Sequence, residues 1–181
     1  MRYVSTRGSA PPLGFEDVML SGLARDGGLY VPEHWPSLDT VALHRLRGRP
    51  YGEVAEAVLA PFLHGFMTAA ELREAIAGAY ADFGHPAVAP LNQLDSNHWL
   101  LELFHGPTLA FKDLALQLLS RLMDWSLAKR GRRATVVCAT SGDTGGAAIE
   151  AFRSLSRVAI FVLHPQGRVS EVQRRQMTTV I

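Results

Sequence analysis

Lysine is scarce in this chain: of 18 basic residues 16 are Arg, and Lys112 and Lys129 are the two lysines among 181 residues. Cysteine is scarcer still. Cys138 stands alone, which excludes an internal disulfide and argues against a structural zinc site. Charge of one sign is lacking as well. The 18 basic residues face 17 acidic ones, so a net charge of +1 leaves no electrostatic footprint for nucleic acid or an anionic membrane. The candidate apolar runs, Trp99 to Phe104 and Val158 to Leu163, fall well below the ~20 residues of a membrane span. Met1 to Gly8 has no apolar stretch of the kind a signal peptide carries. These absences point to a folded cytoplasmic protein that acts on small molecules. Its 48% hydrophobic and 19% charged residues are in ordinary globular proportion.

In the first part of the chain the apolar periodicity is helical. Tyr51, Val54, Ala55, Val58, Leu59 and Phe62 form one stripe, which predicts a helix over Tyr51 to Leu63 frayed by Pro61. Thr68 and Glu71 form a capping box that opens a second helix through Tyr80, and Gly84 and Pro86 stop it. A short helix around Phe15 to Leu23 and a tight turn at Asp26-Gly27-Gly28 leading into Leu29-Tyr30-Val31 precede them. Past His85-Pro86 and Ala89-Pro90 the pattern changes to short strands alternating with longer helices. A boundary near residue 88 follows, with a small, mainly helical domain over 1–88 and an α/β domain over 89–181.

The second part predicts strands at Trp99 to Phe104, Thr135 to Ala139 and Val158 to Leu163. Helices run from Leu109 to Arg130, closed by Gly131, from the glycine-rich turn Ser141 to Gly146 through Phe152, and onward from a cap of Ser170 with Gln173. Alternation of this kind implies a doubly wound parallel sheet with right-handed crossovers. Thr178 to Ile181 reads as the beginning of a fourth strand, so the chain is expected to be truncated. Its unpaired sheet edge invites self-association.

Two segments could carry chemistry. Leu101 to Asp113 runs from a strand through a Gly-Pro loop into the first turn of a helix, with Lys112 at the end where a cation is disfavoured by ~0.3–1 kcal/mol. Apolar Phe111 and Leu114 add to that, which suits an amine that attacks a carbonyl to form an imine, a reaction closed to arginine. The plain alternative is a solvated lysine paired with Asp113. Lys129, among Arg130, Arg132 and Arg133 at a helix C-terminus, reads as solvated. The second segment, Ala139 to Ala147, lies between a strand and a helix. Backbone N–H groups with Ser and Thr hydroxyls there suit a carboxylate or phosphate, and its glycines allow close approach. It is neither a P-loop nor a dinucleotide fingerprint, and a turn that only permits close packing is the alternative reading. Cys138 reads as a small buried hydrophobe, His105 as a satisfied loop histidine or a ligand contact, and Arg168, Arg174 and Arg175 as a solvated face or a phosphate contact. The seven histidines show no metal-ligand spacing, and no metal is expected.

Glu102-Leu103-Phe104-His105-Gly106-Pro107-Thr108-Leu109-Ala110-Phe111-Lys112-Asp113, Ala139-Thr140-Ser141-Gly142-Asp143-Thr144-Gly145 and Gly167 to Met177 closely resemble threonine synthase. Tyr3 to Gly8 and Asp26 to Pro32 resemble the N-terminal domain of that family, so the likeness covers the front part of a member. It implies the second major pyridoxal-phosphate fold, with pyridoxal 5′-phosphate as cofactor and O-phospho-L-homoserine as the small-molecule substrate. By resemblance Lys112 joins the cofactor and then serves as general base. Phe111, Ser141, Gly142, Asp143, Thr144 and Gly145 lie beside the cofactor. Related enzymes carry Asn where this chain has Asp143. The resemblance implies conversion of the substrate and water into L-threonine and phosphate. It also implies that the loop for the cofactor phosphate and the partner of the pyridine nitrogen lie beyond Ile181. Other enzymes of the same fold, such as threonine dehydratase or cysteine synthase, and a non-catalytic association module are the competing readings.

Overall fold

A computed structural model describes residues 1–140 and 142–180. The chain divides into two units, Met1–Ala77 and Gly78–Ile181.

In the first unit the strand Arg2–Ser5 (β1) pairs antiparallel with Leu13–Gly14 (β2) on one side and Tyr30–Pro32 (β3) on the other. The strand period sends Tyr3 and Ser5 inward and leaves Arg2 exposed. Asp26 ties the sheet to its loops: its carboxylate accepts from Ser5 Oγ at 2.7 Å, from the Ser9 and Ala10 amides at 2.9 Å and from the Gly28 amide at 3.0 Å. Four helices follow or interleave, Phe15–Ser21 (α1), Thr40–Leu46 (α2), Tyr51–Leu59 (α3) and Ala69–Tyr80 (α4), the last running across the division at Ala77. Tyr3, Leu63, Phe66, Leu72 and Ile76 are buried, and the Phe15 ring lies 5.2 Å from that of Phe66. The expected capping box is present. Glu71 Oε2 accepts from the Thr68 amide at 2.7 Å, and Thr68 Oγ1 accepts from the Glu71 amide at 3.3 Å. Helix α3 stops at Leu59, short of the expected Leu63, because Pro61 has no N–H with which to continue the ladder.

The second unit is mixed α/β. After α4 come Leu91–Gln93 (β4), Trp99–Leu101 (β5), Asp113–Arg130 (α5), Ala134–Ala139 (β6), Asp143–Phe152 (α6), Val158–Leu163 (β7) and Glu171–Thr178 (α7). Strands β6 and β7 pair in parallel, from Ala134 opposite Val158 to Ala139 opposite Leu163. Helix α6 packs on α5, β7 and α7 and supplies the centre of the core, with Ala147, Ala148, Ala151 and Phe152 buried beside Leu118, Leu122, Leu127 and Val158. Of the residues expected to face inward from α5, Leu118 and Leu122 are buried, whereas Leu114 and Trp125 are half-buried. One face of the β6–β7 pair is uncovered: Val137, Phe161 and Leu163 are 65%, 59% and 62% exposed.

Three expectations are corrected here. The strand expected over Trp99 to Phe104 as the first of a parallel series covers Trp99–Leu101 and pairs antiparallel with β4. Asp95 decides this locally, since its Oδ1 accepts from the Asn97 and His98 amides at 2.9 Å and closes a short hairpin that needs no crossover. Helix α5 begins at Asp113 rather than Leu109, because Leu109 has φ +62°, a left-handed conformation outside any right-handed helix. The fourth strand expected from Thr178 is not formed among the described residues. Thr178 completes α7, where its hydroxyl donates to Arg174 O at 2.8 Å and that of Thr179 to Arg175 O at 2.7 Å, bonds that close back on the helix. Ile181 lies outside the described residues.

Candidate active site

Lys112 is the residue immediately before α5, with φ −66° and ψ −20°. It follows a loop whose shape is set by its neighbour. Asp113 has no exposed surface, and its carboxylate turns back to accept from the Thr108 amide at 2.8 Å and the Thr108 hydroxyl at 2.7 Å. Gly106 is buried against the same carboxylate, which occupies the space a β-carbon there would need. The loop is therefore held at Gly106 and at Thr108 by the same side chain, that of the first residue of α5. Lys112 itself is half-buried, with Nζ 4.2 Å from the centroid of the Phe111 ring, which is 57% exposed.

The glycine-rich turn leaves the C-terminal end of β6. Gly142 and Gly145 are buried, Asp143 is exposed and Thr144 half-buried, while Ser141 lies outside the described residues. Close approach explains the glycines. A β-carbon at Gly145 would fall 2.5 Å from Met177 Sδ and 2.7 Å from Thr140 Cγ2, and one at Gly142 would collide with the Gln173 carboxamide. Thr140 Oγ1 accepts from the Gly142 amide at 3.1 Å, so the strand end and the turn are fixed to each other.

Helix α7 touches both segments. Gln173 Nε2 donates to Asp143 Oδ1 at 2.6 Å, and Gln176 Nε2 donates to Thr108 O at 3.4 Å. Lys112 and Asp143 share no hydrogen bond or ion pair among the described residues; the two segments are joined by α7. The expected cap is present as well, Ser170 Oγ accepting from the Gln173 amide at 3.2 Å.

The remaining candidates take ordinary roles. His105 Nε2 pairs with Glu102 Oε2 at 2.6 Å, and the His105 ring lies 5.1 Å from that of His85. The His105 bond, with a further one from Asn92, holds the Glu102 carboxyl below its usual range. Arg174 and Arg175 both pair with Glu171 at 2.8 Å on an exposed face, and Cys138 is half-buried in β6. Among the described residues no group of three or more His, Cys, Asp or Glu side chains is arranged to hold a metal ion, and no helix is long and apolar enough to cross a membrane.

Residues 2–80 match the family described as "Threonine synthase N terminus". The whole chain is 58% identical, over 181 residues, to a threonine synthase of Pseudomonas aeruginosa. The chain is thus similar to threonine synthases over its whole length. A threonine synthase of Schizosaccharomyces pombe is 42% identical over 98% of the chain. The crystal structure of a PLP-bound threonine synthase from Brucella melitensis superimposes with a TM-score of 0.94 at 60% identity, covering 98% of this chain and 38% of that one. The chain spans 39% of the length of its Pseudomonas threonine synthase relative and 36% of the Schizosaccharomyces one.

Three residues of the site escape sequence reasoning. The sequence offers Asp113 only as a surface partner for Lys112 and Gln173 only as a cap partner, and Gln176 carries no signal. An acidic residue in a first helical turn is read as a dipole effect. Nothing in the local pattern says that it is buried and reaches five residues back.

Proposed function

We propose that this chain is the front part of a pyridoxal-phosphate-dependent threonine synthase that converts O-phospho-L-homoserine and water into L-threonine and phosphate. The observation that carries the reading is the joining, by α7, of the Lys112 loop to the glycine turn at the start of α6. Residues 1–88 would form the N-terminal domain of the family and 89–181 the first part of the cofactor domain, with β6 and β7 as strands of its doubly wound parallel sheet.

The residues present fit an aldehyde cofactor with anionic substituents. An amine stands at the start of α5 on a loop held rigid by a buried carboxylate. The glycine turn at the start of α6 is held by Gln173 and Met177 packed on Gly142 and Gly145, and the N–H groups and helix dipole there favour negative charge. When bound, the cofactor supplies an electron sink for charge developing on the substrate carbons. Lys112 would hold it covalently and then move protons at the substrate α- and β-carbons as general base. Phe111 would screen the amine from water, and the turn from Ser141 to Gly145 would orient the substrate carboxylate or neighbouring cofactor oxygens.

The test is Lys112→Arg in the protein expressed from its complete gene. Arginine keeps the charge but forms no imine, so bound-cofactor absorbance and threonine formation should both be lost, and borohydride should label Lys112 in the parent protein alone. Turnover retained by the arginine variant would contradict the assignment.

A further inference from the structure

The Gln173 carboxamide has three neighbours. Its Nε2 donates to Asp143 Oδ1 at 2.6 Å, its Oε1 accepts from the Ser170 hydroxyl at 3.1 Å, and its body fills the space over Gly142 where a side chain would otherwise lie. The Ser170 hydroxyl thereby orients the amide: with Oε1 engaged by a donor, Nε2 is the end that faces the carboxylate. A neutral amide is the right group at this position. It donates to an acceptor-only carboxylate, and a charge-assisted bond of this kind is shorter and stronger than one between neutral groups. Further along the same helix Gln176 reaches Thr108 O and Met177 Sδ lies over Gly145. Residues 173, 176 and 177 share one helical face by spacing, so α7 lies with that face across both segments of the site.

We propose that Gln173 is a positioning residue, which sets the direction of the Asp143 carboxylate and the conformation of the Gly142 turn on which cofactor or substrate would rest. The inference rests on the functional reading given above, and it adds a residue with no reacting atom of its own. Without the amide, Asp143 at the exposed start of α6 would be free to rotate into solvent, and Gly142 would lose the side chain packed against it.

The experiment exchanges donor and acceptor. Gln173→Glu sets two carboxylates against each other, and Asp143→Asn removes the acceptor charge. In the double variant the amide introduced at position 143 can donate to the carboxylate introduced at position 173, so the hydrogen bond is remade with its polarity reversed. Amide hydrogen exchange at residues 142–145, in the complete gene product without cofactor, should accelerate at least about tenfold in Gln173→Glu and return towards the parent value in the double variant. Pyridoxal phosphate titrated into the same proteins should bind about tenfold more weakly to Gln173→Glu than to the parent. A residue that only fills space would give a double variant no better than either single one, and that result overturns the proposal. Unchanged exchange and cofactor affinity in Gln173→Glu overturns it too. A parent protein that takes up no pyridoxal phosphate sinks the functional reading instead, and the exchange measurements still decide what Gln173 holds.

Discussion

A carboxylate without exposed surface has to find donors, and Asp113 finds both of its donors in Thr108, five residues earlier. That choice bends the chain into the loop before Lys112 and holds Leu109 in its left-handed conformation. Asp113→Ala would leave the Thr108 amide and hydroxyl without their acceptor. We expect the variant to lose ~1–3 kcal/mol of stability, read from its urea unfolding midpoint. The scarcity of lysine singles out Lys112 from the chain alone, because the chemistry of an amine differs from that of a guanidinium whatever the fold. The role of Asp113 is illegible there, since burial is a property of what surrounds a residue and its neighbours in sequence do not report it.

At the scale of elements, termini are more legible than pairings. Gly131 closes α5 in the left-handed conformation expected of it, with φ +60° and its amide donating to Ala128 O at 3.1 Å. Gly131→Ala forces a β-carbon into that region and should cost about 1 kcal/mol, measurable as a lowered thermal midpoint, while Gly131→Asn should cost less. Caps at Thr68 and Ser170 also match, because a cap is a contact between residues three apart and is written within a few letters of sequence. Strand partners are not local in that sense. Alternation with helices predicts β5 in the parallel series, and it joins β4 through a hairpin instead. The turn that closes this hairpin is made by the Asp95 carboxylate with the Asn97 and His98 amides, which the apolar pattern of the strands does not report.

At the scale of the whole molecule, acid sensitivity is concentrated in a few carboxylates. Asp26 has its pKa lowered from 3.8 to about 2 by the Ser5 hydroxyl, then by the Gly28 amide, with further bonds from the Ser9 and Ala10 amides. Because the folded-state value lies below the unfolded one, the unfolded chain binds more protons in between. The stabilisation is complete above about pH 4 and is lost as pH falls towards about 2. Glu171, lowered to about 2 by Arg174 and Arg175, titrates over a similar range but on an exposed helix face, where salt screens it. We therefore expect the urea midpoint of the Asp26→Asn variant to vary less between pH 5 and pH 2 than that of the parent. At high salt, which suppresses the share of Glu171, the difference should persist. An equal slope in both proteins would remove Asp26 from the account.

Sequence by itself determined the helices with strong periodicity, their caps, the β6 and β7 strands, and the two segments that bear the candidate chemistry. Each of these depends on residues within a turn or two of one another, or on what a side chain is made of. Tertiary structure alone decided that Asp113 faces inward, that β5 turns back on β4, and that α7 ties Thr108 to Asp143 through Gln176 and Gln173. The α7 contacts join residues tens of positions apart and the burial of Asp113 depends on what surrounds it, while β5 pairs with β4 across a short turn that the alternation of strands and helices does not report.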